Sequence, residues 1–153
     1  MIVDSRDREY GVRMAWVLLL AWLIQGGVGL TLFIDWLRHA RRRGARTVVW
    51  HLALSLSGLA LWVWFVVTGA LAPAWIAFAI ITAGNTFGDI MLLGRARRID
   101  PEAKTIWQRY GVAITAMARG KLPPRVSFHA LFSAVVYFGC LGVCIGATVD
   151  ALA

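Results

Sequence analysis

A chain of 153 residues has the length of one domain, and 59% of its residues are hydrophobic, with a mean hydropathy of +0.68. Soluble domains hold about 45–50% apolar residues, so the excess must face something other than water. The net charge of +8 is no footprint for nucleic acid, because the cations sit in segments between apolar runs, which is the topology signal of a membrane protein.

The N-terminal MIVDSRDREYGVR mixes acids and bases and leads into an apolar run over about 12–36. That run is too long for the core of a signal peptide and ends in RHARRRGAR, so it reads as a retained span. Its glycines cluster at Gly26, Gly27 and Gly29, and it carries Asp35 near its basic end. A second run, about 48–71, begins with His51 three residues past Val48. A third, about 74–94, contains Gly84 and Gly88 as a GxxxG and Asp89 near its end. Only Ala72 and Pro73 separate the second run from the third, so a tight antiparallel hairpin is expected at that proline. The fourth run, about 126–149, holds FHALFSAVVYFGC and a further GxxxG at Gly142 and Gly146. Each run approaches the roughly 20 residues a bilayer-spanning helix needs. Small residues let helix backbones approach closely in lipid, and contact within the bundle is the expected use of both GxxxG pairs.

Between the third and fourth runs, at about 101–122, lies a different pattern. Ile106, Tyr110, Ile114 and Met117 recur at helical spacing with Trp107 beside them. Lys104, Gln108, Arg109 and Arg119 fall largely elsewhere. This predicts an amphipathic helix on the membrane surface, with Trp107, Arg109, Tyr110, Arg119 and Lys121 meeting an anionic inner leaflet. Gly111 weakens it, and a solvated loop is the competing reading.

Orientation follows from the cations. Thirteen of the sixteen lysines and arginines lie in the loop after the first run or between the third and fourth. The positive-inside rule makes that side cytoplasmic and both termini extracytoplasmic, in a cell inner membrane. The fold class is therefore an all-α polytopic membrane protein: a four-transmembrane-helix bundle, one domain, with a cytoplasmic amphipathic surface helix.

Cys140 and Cys144 lie one helical turn apart, a spacing that rarely meets disulfide geometry, so both are expected as free, buried thiols. Every span also contributes one ionisable residue: Asp35, His51, Asp89 and His129. At about 1.5 Å of rise per residue, all four fall within about 5–9 Å of the inner boundary. Charged groups in a bilayer are costly and are expected to face inward and find partners.

Three readings of this set compete. In the first, the residues are polar glue; Asp35 pairs with Arg38 or His39 on its own helix, or aspartates pair with histidines across the bundle. In the second, His51 and His129 bind haem b. Their spans run in the same direction, would be diagonal in a bundle of sequential neighbours, and so present opposed imidazoles across the core, with Arg46 and Arg125 near the propionates. In the third, Asp35, His51, Asp89 and His129 together hold a divalent metal or relay protons. No P-loop, GxSxG, HExxH or GxGxxG motif is visible, and an enzyme is the least supported class.

The sequence thus points to a small accessory or interaction subunit working with lipids, other membrane subunits or further copies of itself. The alternative is a haem- or metal-binding membrane protein, serving electron transfer or cation or proton handling through His51 and His129.

Overall fold

The computed structural model describes residues 5–40 and 44–153, and side chains from residue 11 onward within that range. Arg41, Arg42, Arg43 and Asp4, and the side chains of Arg6, Asp7, Arg8 and Glu9, lie outside the described residues. Five helices follow in order: α1 Ser5–His39, α2 Ala45–Thr68, α3 Leu71–Ile99, α4 Ile106–Ala118 and α5 Pro124–Leu152. Four of them, α1, α2, α3 and α5, are long and apolar enough to cross a membrane.

Local chemistry sets the helix ends. Gly44 precedes α2 and Gly69 follows it, both in the left-handed region (φ 65° and 69°) that glycine enters without a Cβ penalty. The Gly69 N–H closes the last turn on the Phe65 carbonyl at 2.8 Å. The hairpin between α2 and α3 is therefore made by Gly69 and Ala70, three residues before the expected site at Ala72 and Pro73. Pro73 sits in the first turn of α3, where its missing N–H has no intrahelical partner to lose. α4 opens with a capping box: the Gln108 N–H donates to Thr105 Oγ1, and Gln108 Oε1 accepts from the Thr105 N–H. With both ends of that exchange made, the helix runs through Gly111. Pro124 stands at the start of α5, the position where proline is pre-organised for helix.

α1 packs against α2 and α5, and α3 packs against the same two, so α1 faces α3 and α2 faces α5 across the diagonals. α4 leaves the bundle and packs on α3. The described core is concentrated in one half of the bundle. There Ala15, Leu18, Leu19 and Trp22 of α1 meet Trp62 and Phe65 of α2, Ala74, Ala77 and Ile81 of α3, and Val136, Cys140 and Cys144 of α5. Trp62 is fully enclosed, its Nε1–H donating to the Ala15 carbonyl at 3.3 Å and its ring lying against Trp22 and Phe65. Trp64, two residues on, is 57% exposed and belongs to the outer face. Both cysteines are free and fully buried, small apolar fillers of this half.

The other half is built differently. From 26 to 39 in α1, 45 to 57 in α2, 85 to 95 in α3 and 124 to 135 in α5, no residue is fully buried. Bulky apolar side chains here, such as Phe33, Leu52, Leu54, Phe87 and Phe132, are only half-buried. The two GxxxG pairs also divide. A Cβ on Gly84 would meet Leu54 and Ser55, and one on Gly88 would meet His51, so that pair packs inside the bundle. Gly142 and Gly146 have nothing within 4 Å of such a Cβ and are exposed on the outer face of α5. The intramolecular contact expected of them is not made, because the buried stripe of α5 runs through Val136, Cys140 and Cys144 instead.

Candidate functional site: a histidine pair across the bundle

In the loosely packed half, the two imidazoles of the diagonal helices meet. The ring centres of His51 and His129 are 6.2 Å apart, with the planes at 77°. Each ring lies against a glycine of a flanking helix. A Cβ on Gly88 of α3 would stand 3.2 Å from the His51 Cε1, and one on Gly29 of α1 would stand 3.0 Å from the His129 Cε1. Both distances are tighter than ordinary van der Waals contact, so any larger residue there would push the ring aside. Glycine at these two positions is what lets imidazoles fit between helices.

His51 is fixed by its Nδ1, which lies 2.9 Å from the Gly84 carbonyl oxygen. Since a carbonyl accepts only, Nδ1 carries the proton and Nε2 keeps its lone pair for another partner. This is the arrangement by which metal-ligating histidines are usually oriented. Gln25 of α1 holds the other side. Its Nε2 donates to the His129 backbone carbonyl at 2.8 Å, and the residue is only 8% exposed. Gln25 Oε1 and His129 Nδ1 are both buried without a hydrogen-bond partner.

The two aspartates have partners of their own. Asp35 Oδ2 lies 3.2 Å from Arg125 Nη1, an ion pair joining α1 to α5 one turn below His129. His39, one of its expected partners, turns instead to the Asp35 backbone carbonyl at 3.0 Å. Asp89 stands beside Tyr110 of α4. Burial first, and then the Asp89 carboxylate, raise the Tyr110 phenol above its ordinary value of 10.0. Nearby hydroxyls are served mostly by their own helices: Thr31 bonds the Val28 carbonyl, Ser133 the Ala130 carbonyl and Thr82 the Phe78 carbonyl. The Thr82 hydroxyl also lies 3.4 Å from the Tyr137 hydroxyl, joining α3 to α5. Among the described residues no group of three or more His, Cys, Asp or Glu is assembled to hold a metal ion.

Of the four ionisable residues singled out in the sequence, the fold thus brings His51 and His129 together. It sends Asp35 to Arg125 and Asp89 to the surface helix. Gln25 escaped a reading that counted only ionisable groups, although an amide deep in an apolar run is the same kind of signal. Gly29 and Gly88 were visible as packing glycines, but not as the floors of two histidine slots.

No known family, curated protein or solved structure matches the chain.

Proposed function

We propose that this chain is a small membrane haem b protein, in which His51 and His129 would hold the group and electron transfer would be its chemistry. The observation that carries the reading is the spacing of the two rings. With each nitrogen about 2.0 Å from a shared metal and each ring centre about 1.15 Å behind its nitrogen, two opposed imidazoles stand about 6.3 Å apart. The rings are 6.2 Å apart. That distance alone serves any metal held between two imidazoles, and the donor set discriminates. Zinc takes four ligands, whereas the described residues offer two here and no third His, Cys, Asp or Glu beside them. A porphyrin supplies four nitrogens itself and asks the protein for two. That no residue over 26–39, 45–57, 85–95 and 124–135 is fully buried suits a flat macrocycle better than the filled half does. Arg125, now paired with Asp35 one turn below His129, is the cation within reach for propionates.

When bound, the group would supply one-electron redox chemistry. The protein's own part is to present two neutral imidazoles, hold the His51 tautomer through Gly84, and surround the site with apolar helices. The test is an absorbance spectrum of the full chain, purified in detergent after haem-supplemented expression. A Soret band with the spectrum of a low-spin bis-imidazole haem is expected, and His51→Ala and His129→Ala should each abolish that spectrum. Apoprotein that takes up no haem on reconstitution would overturn the reading.

The same reading places the four apolar helices across a cell inner membrane with the arginine-rich side in the cytoplasm and both termini outside. α4 then lies on the inner leaflet. Trp107 is 79% exposed, with Ile106 and Ile114 also outward, an apolar edge that water alone would not favour, and Arg119 and Lys121 are exposed at its end toward anionic headgroups.

A second reading, an accessory subunit working through contact with other membrane proteins or further copies, draws on the exposed Gly142 and Gly146 face of α5. It is compatible with the first, since an electron carrier this small must dock with its donors and acceptors. Native mass measurement in detergent, with Gly142→Leu and Gly146→Leu beside wild type, tests self-association through that face.

A further inference from the structure

We infer that Gln25 is the positioning residue for His129, its amide oxygen serving as the acceptor for the ring's Nδ1–H and leaving Nε2 to face the metal. The inference rests on the haem reading and deepens it. The two histidines occupy matching slots, each against a glycine of a flanking helix, but they are held differently. His51 has its Nδ1 on the Gly84 carbonyl. His129 has no such carbonyl; its Nδ1 is buried and unpartnered. Beside it, on the neighbouring turn of α1, is the one buried polar residue of the described core.

The amide of Gln25 can be oriented in only one way. Its NH₂ must donate to the His129 carbonyl, since the reverse orientation would set two oxygens against each other. The amide oxygen is thereby left as a buried acceptor attached to a side chain already anchored to residue 129. A buried acceptor and a buried ring nitrogen each cost free energy while unpaired. One hydrogen bond satisfies both if the imidazole carries its proton on Nδ1. That tautomer leaves the Nε2 lone pair free, as Gly84 does for His51.

The consequence is electronic as well as geometric. An imidazole that donates a hydrogen bond through Nδ1 is a more basic ligand, and it stabilises the ferric state. Removing the acceptor should leave a haem that still binds but is easier to reduce.

The experiment has two arms on the full chain in detergent. In the first, wild type and Gln25→Leu are reconstituted with haem b and their midpoint potentials are measured. Retention of the low-spin spectrum with a potential shifted positive in Gln25→Leu is expected; retained spectra with equal potentials would overturn the inference. In the second, imidazole nitrogen chemical shifts of His129 are read in haem-free protein. Wild type should show the Nδ1–H tautomer and Gln25→Leu a mixture. Identical tautomers in wild type and Gln25→Leu would overturn it. If Gln25→Leu does not fold, Gln25→Met, which also lacks an oxygen acceptor, replaces it in both arms. Failure of wild type to bind haem would sink the proposed function and leave the second arm to decide on Gln25 alone.

Discussion

Gly29 shows how a single position decides between two opposite outcomes. In an exposed helix interior, Gly→Ala stabilises by roughly 0.5–1 kcal/mol, through lost backbone entropy in the unfolded chain. Gly26 and Gly27 have open space around a would-be Cβ, so alanine there should be neutral or mildly stabilising. Gly29→Ala would put a methyl 3.0 Å from the His129 Cε1, and Gly88→Ala would put one 3.2 Å from the His51 Cε1. An imidazole wedged between helices yields less readily than the tip of a leucine. We expect both variants to lower the detergent-solution melting temperature, while Gly26→Ala and Gly27→Ala leave it level or raise it. A melting series that fails to separate the two pairs would show that the rings have room to move.

At the scale of elements, α4 is held to the bundle by a small contact with one polar tie. Ala113 and Ala116 are buried, and Tyr110 stands beside Asp89. Because the Tyr110 phenol is raised above its ordinary 10.0, the tie contributes fully below pH 10 and is lost as the pH climbs through the raised value. A nitroxide on Ala118→Cys, an exposed position of α4, should therefore be restrained at neutral pH and gain mobility only above about pH 10. Tyr110→Phe should loosen it at every pH. Mobility unchanged by Tyr110→Phe would assign the docking to the alanine contacts alone. The native Cys140 and Cys144 are fully buried and should not compete for the label.

The molecule as a whole consists of a tightly filled half and an open half. Trp62 anchors the first, with no exposed surface and its indole N–H satisfied by Ala15. Trp62→Ala should cost up to about 3–5 kcal/mol, the range for large-to-small changes at buried aromatics. Cys140→Ala, one small side chain for another, should cost far less. Chemical or thermal unfolding in detergent measures both. Topology is a whole-molecule property too. A cysteine at Leu152 should react with a membrane-impermeant reagent in intact cells, and one at Thr115 only after lysis. The reverse pattern would invert the proposed orientation.

Four long apolar runs, an amphipathic segment before the last of them and free thiols were all legible in the residue order. The reason is that run length, helical period and spacing are local quantities, carried by neighbours along the chain. The hairpin position was read three residues late, since glycine's freedom at Gly69 outweighed the proline signal at Pro73. The pairing of charges was not legible. Asp35 had candidate partners on its own helix, yet it reaches Arg125, ninety residues away, and nothing in the spacing says which helix face meets which. The same holds for the histidines. Residue order placed His51 and His129 at one depth on diagonal spans. Only the packing of α2 and α5 around Gly29 and Gly88 brought their rings to 6.2 Å, because that distance depends on how closely backbones approach, which is settled between helices and not along any one of them.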